Sequence, residues 1–197
     1  GAPTHGLTPL ALHTRRFITW SLTELIELIV AIVRRHSTRP VFHNSHLSWN
    51  LSHPRIAEAT DITVLDIYPV MSPNPQVYTT LPIDLGVSIA RCQQKPFWVG
   101  ETSPGQYGTY IRSRPAQGLI EAAVLEMVLG GARGLLHFRH KPPKYEQPHK
   151  YTGSQTVLRR DGSAMEYVKT PEHVAEVMHV LGERVLAAQP PAPEIGL

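Results

Sequence analysis

Short apolar runs alternate with helix-period segments along nearly all of this 197-residue chain, and that alternation limits the folds open to it. Ile62-Thr63-Val64-Leu65-Asp66-Ile67-Tyr68 is the clearest run, β-branched, apolar and stopped by Pro69. Pro96-Phe97-Trp98-Val99-Gly100-Glu101-Thr102 and Gly134-Leu135-Leu136-His137-Phe138 read as two more strands. Pro40 to Asn44 reads as a short fourth. Strands buried on both faces appear as near-continuous apolar runs, so an α/β fold with a parallel sheet is expected. Four such strands suffice for an open sheet or for half of an eight-stranded barrel.

The intervening segments carry helix signals. Ser21-Leu22-Thr23-Glu24 has the form of a capping box. Leu22, Leu25, Ile26, Ile29, Val30 and Val33 then recur at helical spacing, with Arg34, Arg35 and His36 at the negative end. A brief helix is expected over Pro54 to Ala59, with Ser52 near its start. Leu81 to Gln94 reads as a helix with Pro82 in its first turn. Pro115 opens another, whose face is Leu119, Ile120, Ala123, Val124, Met127 and Val128 and whose end is Gly130-Gly131. After an irregular stretch from Arg139 to about Ala164, Pro171 starts a last helix with Val174, Val177, Met178, Leu181 and Val185 inward.

Composition narrows the function classes. Hydrophobic residues make up 42% of the chain, enough for one domain with a core. The most apolar stretch, Leu25 to Val33, is short and carries Glu27, so a soluble, cytoplasmic chain without a membrane partner is expected. Cys92 is the single cysteine, which excludes an internal disulfide and a Cys-built zinc cage and fits a reducing compartment. The net charge of +3 is mildly basic. Arg133, Arg139, Lys141, Lys144 and Lys150 form a loose group broken by Pro142, Pro143 and Glu146, read as a solvated rim; no nucleic-acid partner is expected. The chain opens on Gly1 without a signal-peptide pattern. Residues 1–20 are read as a tag or truncated start, 21–188 as the folded domain, and 189–197 as a Pro-rich tail or linker.

Glu101 is the main site candidate. It stands at the end of an apolar strand, just before the Gly- and Pro-containing loop Ser103-Pro104-Gly105-Gln106. In parallel α/β folds the carboxyl ends of strands face the ligand. By position alone a strand-end acid is as often a simple turn cap as a reactive group. The pairs His43-Asn44-Ser45-His46 and His137-Phe138-Arg139-His140 each space two imidazoles three residues apart. That spacing suits a metal on a helix but turns the rings to different faces on a strand, so ordinary hydrogen-bonded histidines are expected, with no metal and no cofactor.

Four motifs in order carry a family resemblance. They are Asp66-Ile67-Tyr68-Pro69, Gly100-Glu101-Thr102 with Pro104-Gly105, Gly130-Gly131-Ala132-Arg133-Gly134 leading into Leu135-Leu136-His137-Phe138-Arg139, and Glu146-Gln147-Pro148-His149. With Phe17, Trp20 and Thr38-Arg39-Pro40-Val41-Phe42-His43-Asn44 upstream, the span from Arg16 to Leu186 resembles the carboxyl-terminal half of a family-42 glycoside hydrolase barrel, the retaining β-galactosidases. The resemblance implies a partial (β/α)8 TIM barrel made of about the last four βα units, and makes 21–188 a half-barrel domain. It implies Glu101 as the nucleophile, with Tyr68 donating a hydrogen bond that holds it ionised and aimed. It also implies that Glu146 and His149 grip galactose hydroxyls; without it, that pair reads as a surface loop. Tyr107, Tyr110 and Trp98 are open alternatives for an aromatic face under the sugar.

The sequence departs from the family in what it lacks. A retaining glycosidase needs a second carboxyl group about 5 Å from its nucleophile. The family carries it in an Asn-Glu pair ending the fourth strand, and no Asp or Glu precedes Glu24 here. Asp66 is a conceivable substitute. The family's sugar-binding Arg and its zinc-binding cysteine cluster are absent too. Turnover is therefore expected only once the missing half completes the barrel. Exposed edges and an uncovered interior predict pairing with a complementary fragment or a second copy. The alternative is a non-catalytic carbohydrate-binding or assembly module derived from such a barrel, with a metal-binding α/β domain as a third.

Overall fold

The computed structural model describes residues 8–46, 51–69, 77–103, 117–141, 157–159, 161–164 and 169–188. They form α1 (Pro9–Arg34), α2 (His53–Glu58), β1 (Thr63–Asp66), α3 (Val77–Cys92), β2 (Phe97–Thr102), α4 (Gln117–Leu129), β3 (Gly134–His137) and α5 (Lys169–Ala187). The strands make one parallel sheet in the order β1-β2-β3. The α/β class and parallel sheet expected from the apolar runs are therefore present.

The core lies between the sheet and the helices that cross over it. Leu65, Val99 and Leu135 are register partners across the three strands. Leu65 and Val99 are buried with Ile67, Phe97, Ile83 and Ala90 of α3, and Met127 of α4, while Leu135 packs half-buried against them. Ile120 and Val124 continue the layer to Val174 of α5. The α3–β2 contact depends on Gly86, where a Cβ would stand 2.3 Å from the Phe97 ring. The Gly130-Gly131 stop also forms as expected. Gly131 has φ 124°, the Gly131 N–H donates to the Val128 carbonyl, and the Ala132 N–H donates to the Met127 carbonyl. This is a Schellman ending, which turns Ala132 back against Met127 in the core.

Three expectations are corrected. The first helix starts at Thr8-Pro9 rather than Ser21: Thr8 accepts from the Ala11 N–H at 3.2 Å, and Pro9 occupies the first turn. No breaker separates Pro9 from Ser21, so a cap and a proline at the true start override the internal capping box. The apolar face is also displaced. Ile26 is buried and Leu22, Val30 and Val33 are half-buried, whereas Leu25 and Ile29 are exposed.

Second, Pro40 to Asn44 forms no ladder. Its neighbours touch β1 through a parallel bridge between His46 and Asp66 and an Asp66 N–H to Ser45 carbonyl bond of 2.9 Å. Pro40 has no N–H, and the Val41 N–H is taken by the Asp61 carboxylate at 2.6 Å. Among the described residues, the sheet therefore has three strands rather than four. Third, α3 begins at Val77, so Pro82 lies inside it. Buried Thr79, and Thr80, whose hydroxyl donates to Glu126 of α4 at 2.6 Å, hold that extra turn in place. The last helix likewise starts at Lys169, two residues before Pro171.

Gly86→Ala tests the α3–β2 contact because propensity and packing predict opposite signs. Helix propensity alone favours Ala by about 1 kcal/mol. The Phe97 clash predicts a net loss of roughly 1–3 kcal/mol instead, to be read as a lower urea midpoint at unchanged m-value.

Candidate active site

The central strand carries one extra residue near its carboxyl end. Leu65 pairs with Val99 while the next residue, Asp66, pairs with Glu101. On the other side Leu135 pairs with Val99 and His137 with Thr102. Relative to both neighbours β2 therefore bulges at Gly100-Glu101. Simple alternation would put Glu101 on the core face with Phe97 and Val99. The bulge transfers it to the opposite face, beside Trp98, Val64 and Asp66. Only glycine fits at the bulge: a Cβ on Gly100 would lie 2.4 Å from both the Asn44 Oδ1 and the Val64 Cγ1, and 3.0 Å from the Asp66 Oδ1.

Two neighbouring segments then hold the Glu101 carboxylate. Asn44 Nδ2 donates to Oε1 at 2.7 Å, and the Tyr68 hydroxyl donates to Oε2 in a short hydrogen bond. The backbone is pinned as well, with the Ile67 N–H donating to the Glu101 carbonyl at 2.9 Å. Tyr68 and Glu101 are thus brought together as expected. Glu146 and His149, and the aromatic candidates Tyr107 and Tyr110, lie outside the described residues. Trp98 lies on the Glu101 face, with its ring 5.7 Å from that of Phe42 and close over Gly134.

Asn44 is the neighbour that sequence reasoning left out of the site, and Asp66, considered there only as a substitute acid, is the other. Asn44 gave only the signal of a polar residue ending an extended run. Asp66 is buried, and its Oδ1 has no hydrogen-bond partner among the described residues. Burial, with the Glu101 charge adding to it, pushes its carboxyl up to about 7.

The histidine pairs do not converge. His43 and His137 each keep a buried Nδ1 without a partner among the described residues, and burial holds both below the usual imidazole range. His46 and His140 are exposed. Among the described residues no three His, Cys, Asp or Glu side chains cluster as metal ligands. A separate hollow of about 460 Å³ between α1 and α2, lined by Arg15, Arg16, Trp20 and Arg55 among others, includes none of the Glu101 neighbours. No helix among the described residues is long and apolar enough to cross a membrane.

The glycoside hydrolase family 42 profile, described as beta-galactosidase, matches residues 2–179. The chain belongs to that family. Beta-galactosidase YesZ of Bacillus licheniformis is 31% identical over 123 residues, covering 60% of this chain and 18% of that protein. The beta-galactosidase of Bacillus circulans sp. alkalophilus superposes with a TM-score of 0.74 at 19% identity, over 95% of this chain and 29% of its own. That of the Antarctic haloarchaeon Halorubrum lacusprofundi gives 0.72 at 22% identity, over 87% and 28%. The chain thus spans less than a third of the length of these family members.

The buried imidazoles make a pH prediction. A histidine kept neutral by burial contributes stability above the unfolded value of about 6.5. That contribution falls as pH drops, because the unfolded chain takes up the proton first. His137→Gln is therefore expected to lose less urea stability than the wild type between about pH 7 and pH 5. Parallel losses in the two proteins would show that His137 is not held neutral.

Proposed function

We propose that this chain is the carboxyl-terminal half of a retaining β-galactosidase barrel, with Glu101 as the nucleophile. The observation that carries the reading is the Glu101 carboxylate at the bulged end of the central strand, each oxygen accepting a hydrogen bond from a neighbouring segment. Such an arrangement suits attack on an anomeric carbon, since a carboxylate held at both oxygens spends little reorganisation in reaching the covalent intermediate. Glu101 would form the glycosyl–enzyme ester, and Tyr68 and Asn44 would orient it. Glu146 and His149 would hold the galactose hydroxyls, with Trp98 as one candidate for the apolar sugar face.

The partial barrel runs in this reading from α1 through α5, about the last four βα units. The short share of each relative that it spans supports the fragment reading. The acid/base carboxyl would come from the amino-terminal half of the barrel. Full turnover of a β-galactoside then belongs to the completed barrel.

The test is intact mass after incubation with a 2-deoxy-2-fluoro-galactoside bearing a dinitrophenolate leaving group. That leaving group departs without acid assistance, so the absent acid/base does not hide an intact nucleophile. A single adduct mapping to Glu101 and missing from Glu101→Gln is expected. Tyr68→Phe, which removes one donor, should slow labelling by roughly 10²-fold. An adduct elsewhere would overturn the nucleophile assignment. Galactose binding without any adduct would favour the carbohydrate-binding module.

A further inference from the structure

Asp66 has no part in the chemistry proposed for Glu101, yet it is placed beside it. The two are register partners at the carboxyl ends of adjacent strands. Asp66 is 7% exposed, and its Oδ1 meets no donor among the described residues. An ionised carboxylate in that position would be desolvated, short of hydrogen bonds and next to a second negative charge.

Glu101 is in the opposite situation. Both of its oxygens accept hydrogen bonds, from Asn44 and Tyr68, and a carboxylate that only accepts is suited to the ionised form. The hydrogen-bond pattern therefore separates two like groups into one that bears the charge and one that bears the proton. The titratable groups facing Asp66 do not alter this. They are Glu101 from β2, whose charge adds to the effect of burial, and His46, which pairs with Asp66 through a backbone bridge and is exposed. No Lys or Arg among the described residues forms an ion pair with Asp66.

We propose that Asp66 is a positioning residue for Glu101: it keeps its proton in mildly acidic solution, so the strand ends there carry one negative charge, and its ionisation as pH rises through neutrality repels Glu101 from its donors. The position of the Asp66 carboxyl, near 7, agrees with that division. The consequence for labelling rests on Glu101 being the nucleophile; the division of charge does not. Gly100 contributes by leaving room for the Asp66 Oδ1 beneath the bulge.

The experiment is a carbon-13 carboxyl titration of the folded chain labelled at aspartate. Four signals are expected, from Asp61, Asp66, Asp84 and Asp161. Asp66→Asn assigns the one of interest; if that variant does not fold, single Asn substitutions of the other three assign it by elimination. The Asp66 signal should titrate near neutrality and move to lower pH in Glu101→Gln. A midpoint in the ordinary carboxylate range, or one unmoved by Glu101→Gln, overturns the proposal.

Labelling by the fluoro-galactoside separates this proposal from the nucleophile reading. For a single ionisation near 7, the wild-type rate should fall roughly 20-fold from about pH 6.5 to about pH 8.5. Asp66→Asn should stay flat over that range. An alkaline loss shared by both proteins overturns the role of Asp66 and leaves the nucleophile in place. A neutral Asp66 titration with no adduct at any pH overturns the nucleophile reading and supports the charge division. Stability offers a further readout: the native chain holds an extra proton between the unfolded value of about 4 and the folded one, so wild-type stability falls as pH rises through that window. Asp66→Asn should not share that fall.

Discussion

Everything at the candidate site depends on one extra residue in the central strand. Phe97 and Val99 point into the helix layer, and strict alternation would send Glu101 after them, a carboxylate into an apolar core. The bulge at Gly100-Glu101 breaks that alternation. Thr102 then resumes the core-facing row opposite His137, while Glu101 joins Trp98 on the other face. The same backbone step thus protects the core and delivers the carboxylate to Tyr68 and Asn44.

The sheet has unequal faces as a result. Its helix side is filled by Leu65, Val99 and Met127, all nearly inaccessible. On the other side Leu136 is 42% exposed and Phe42 38%. Helix α1 adds Leu10, Phe17, Trp20, Leu25, Leu28 and Ile32 to the exposed apolar surface. Exposed apolar side chains on one helix are a feature of surfaces that pack against further protein. This accords with a chain that spans less than a third of each relative described here.

Much of the fold was legible because several signals are strictly local. Pro54 in the first turn of α2, the β-branched run before Pro69 and the paired glycines ending α4 each act within a few residues. The misreadings share a different cause. Ser21-Leu22-Thr23-Glu24 satisfies a cap pattern, but a helix already under way leaves no free N–H groups there to cap. Pro40 to Asn44 has strand composition, but Asp61 from a later loop takes the N–H that a ladder would need. In both, the deciding partner lies far along the chain or in a geometry that pattern matching does not see.

By itself the sequence determined the class of fold and the candidate group: apolar periodicity dictated a parallel sheet covered by helices, and the motif around Glu101 pointed to a carboxylate at a strand end. Only the tertiary structure decided which way that carboxylate faces and what holds it. A bulge is a mismatch between strands, so it exists only once β1, β2 and β3 are paired. The donors Asn44 and Tyr68 stand 57 and 33 residues from Glu101. Asp66 carries no local sign that it is buried without a donor, because burial and an unmatched oxygen belong to the packed chain rather than to its order of residues.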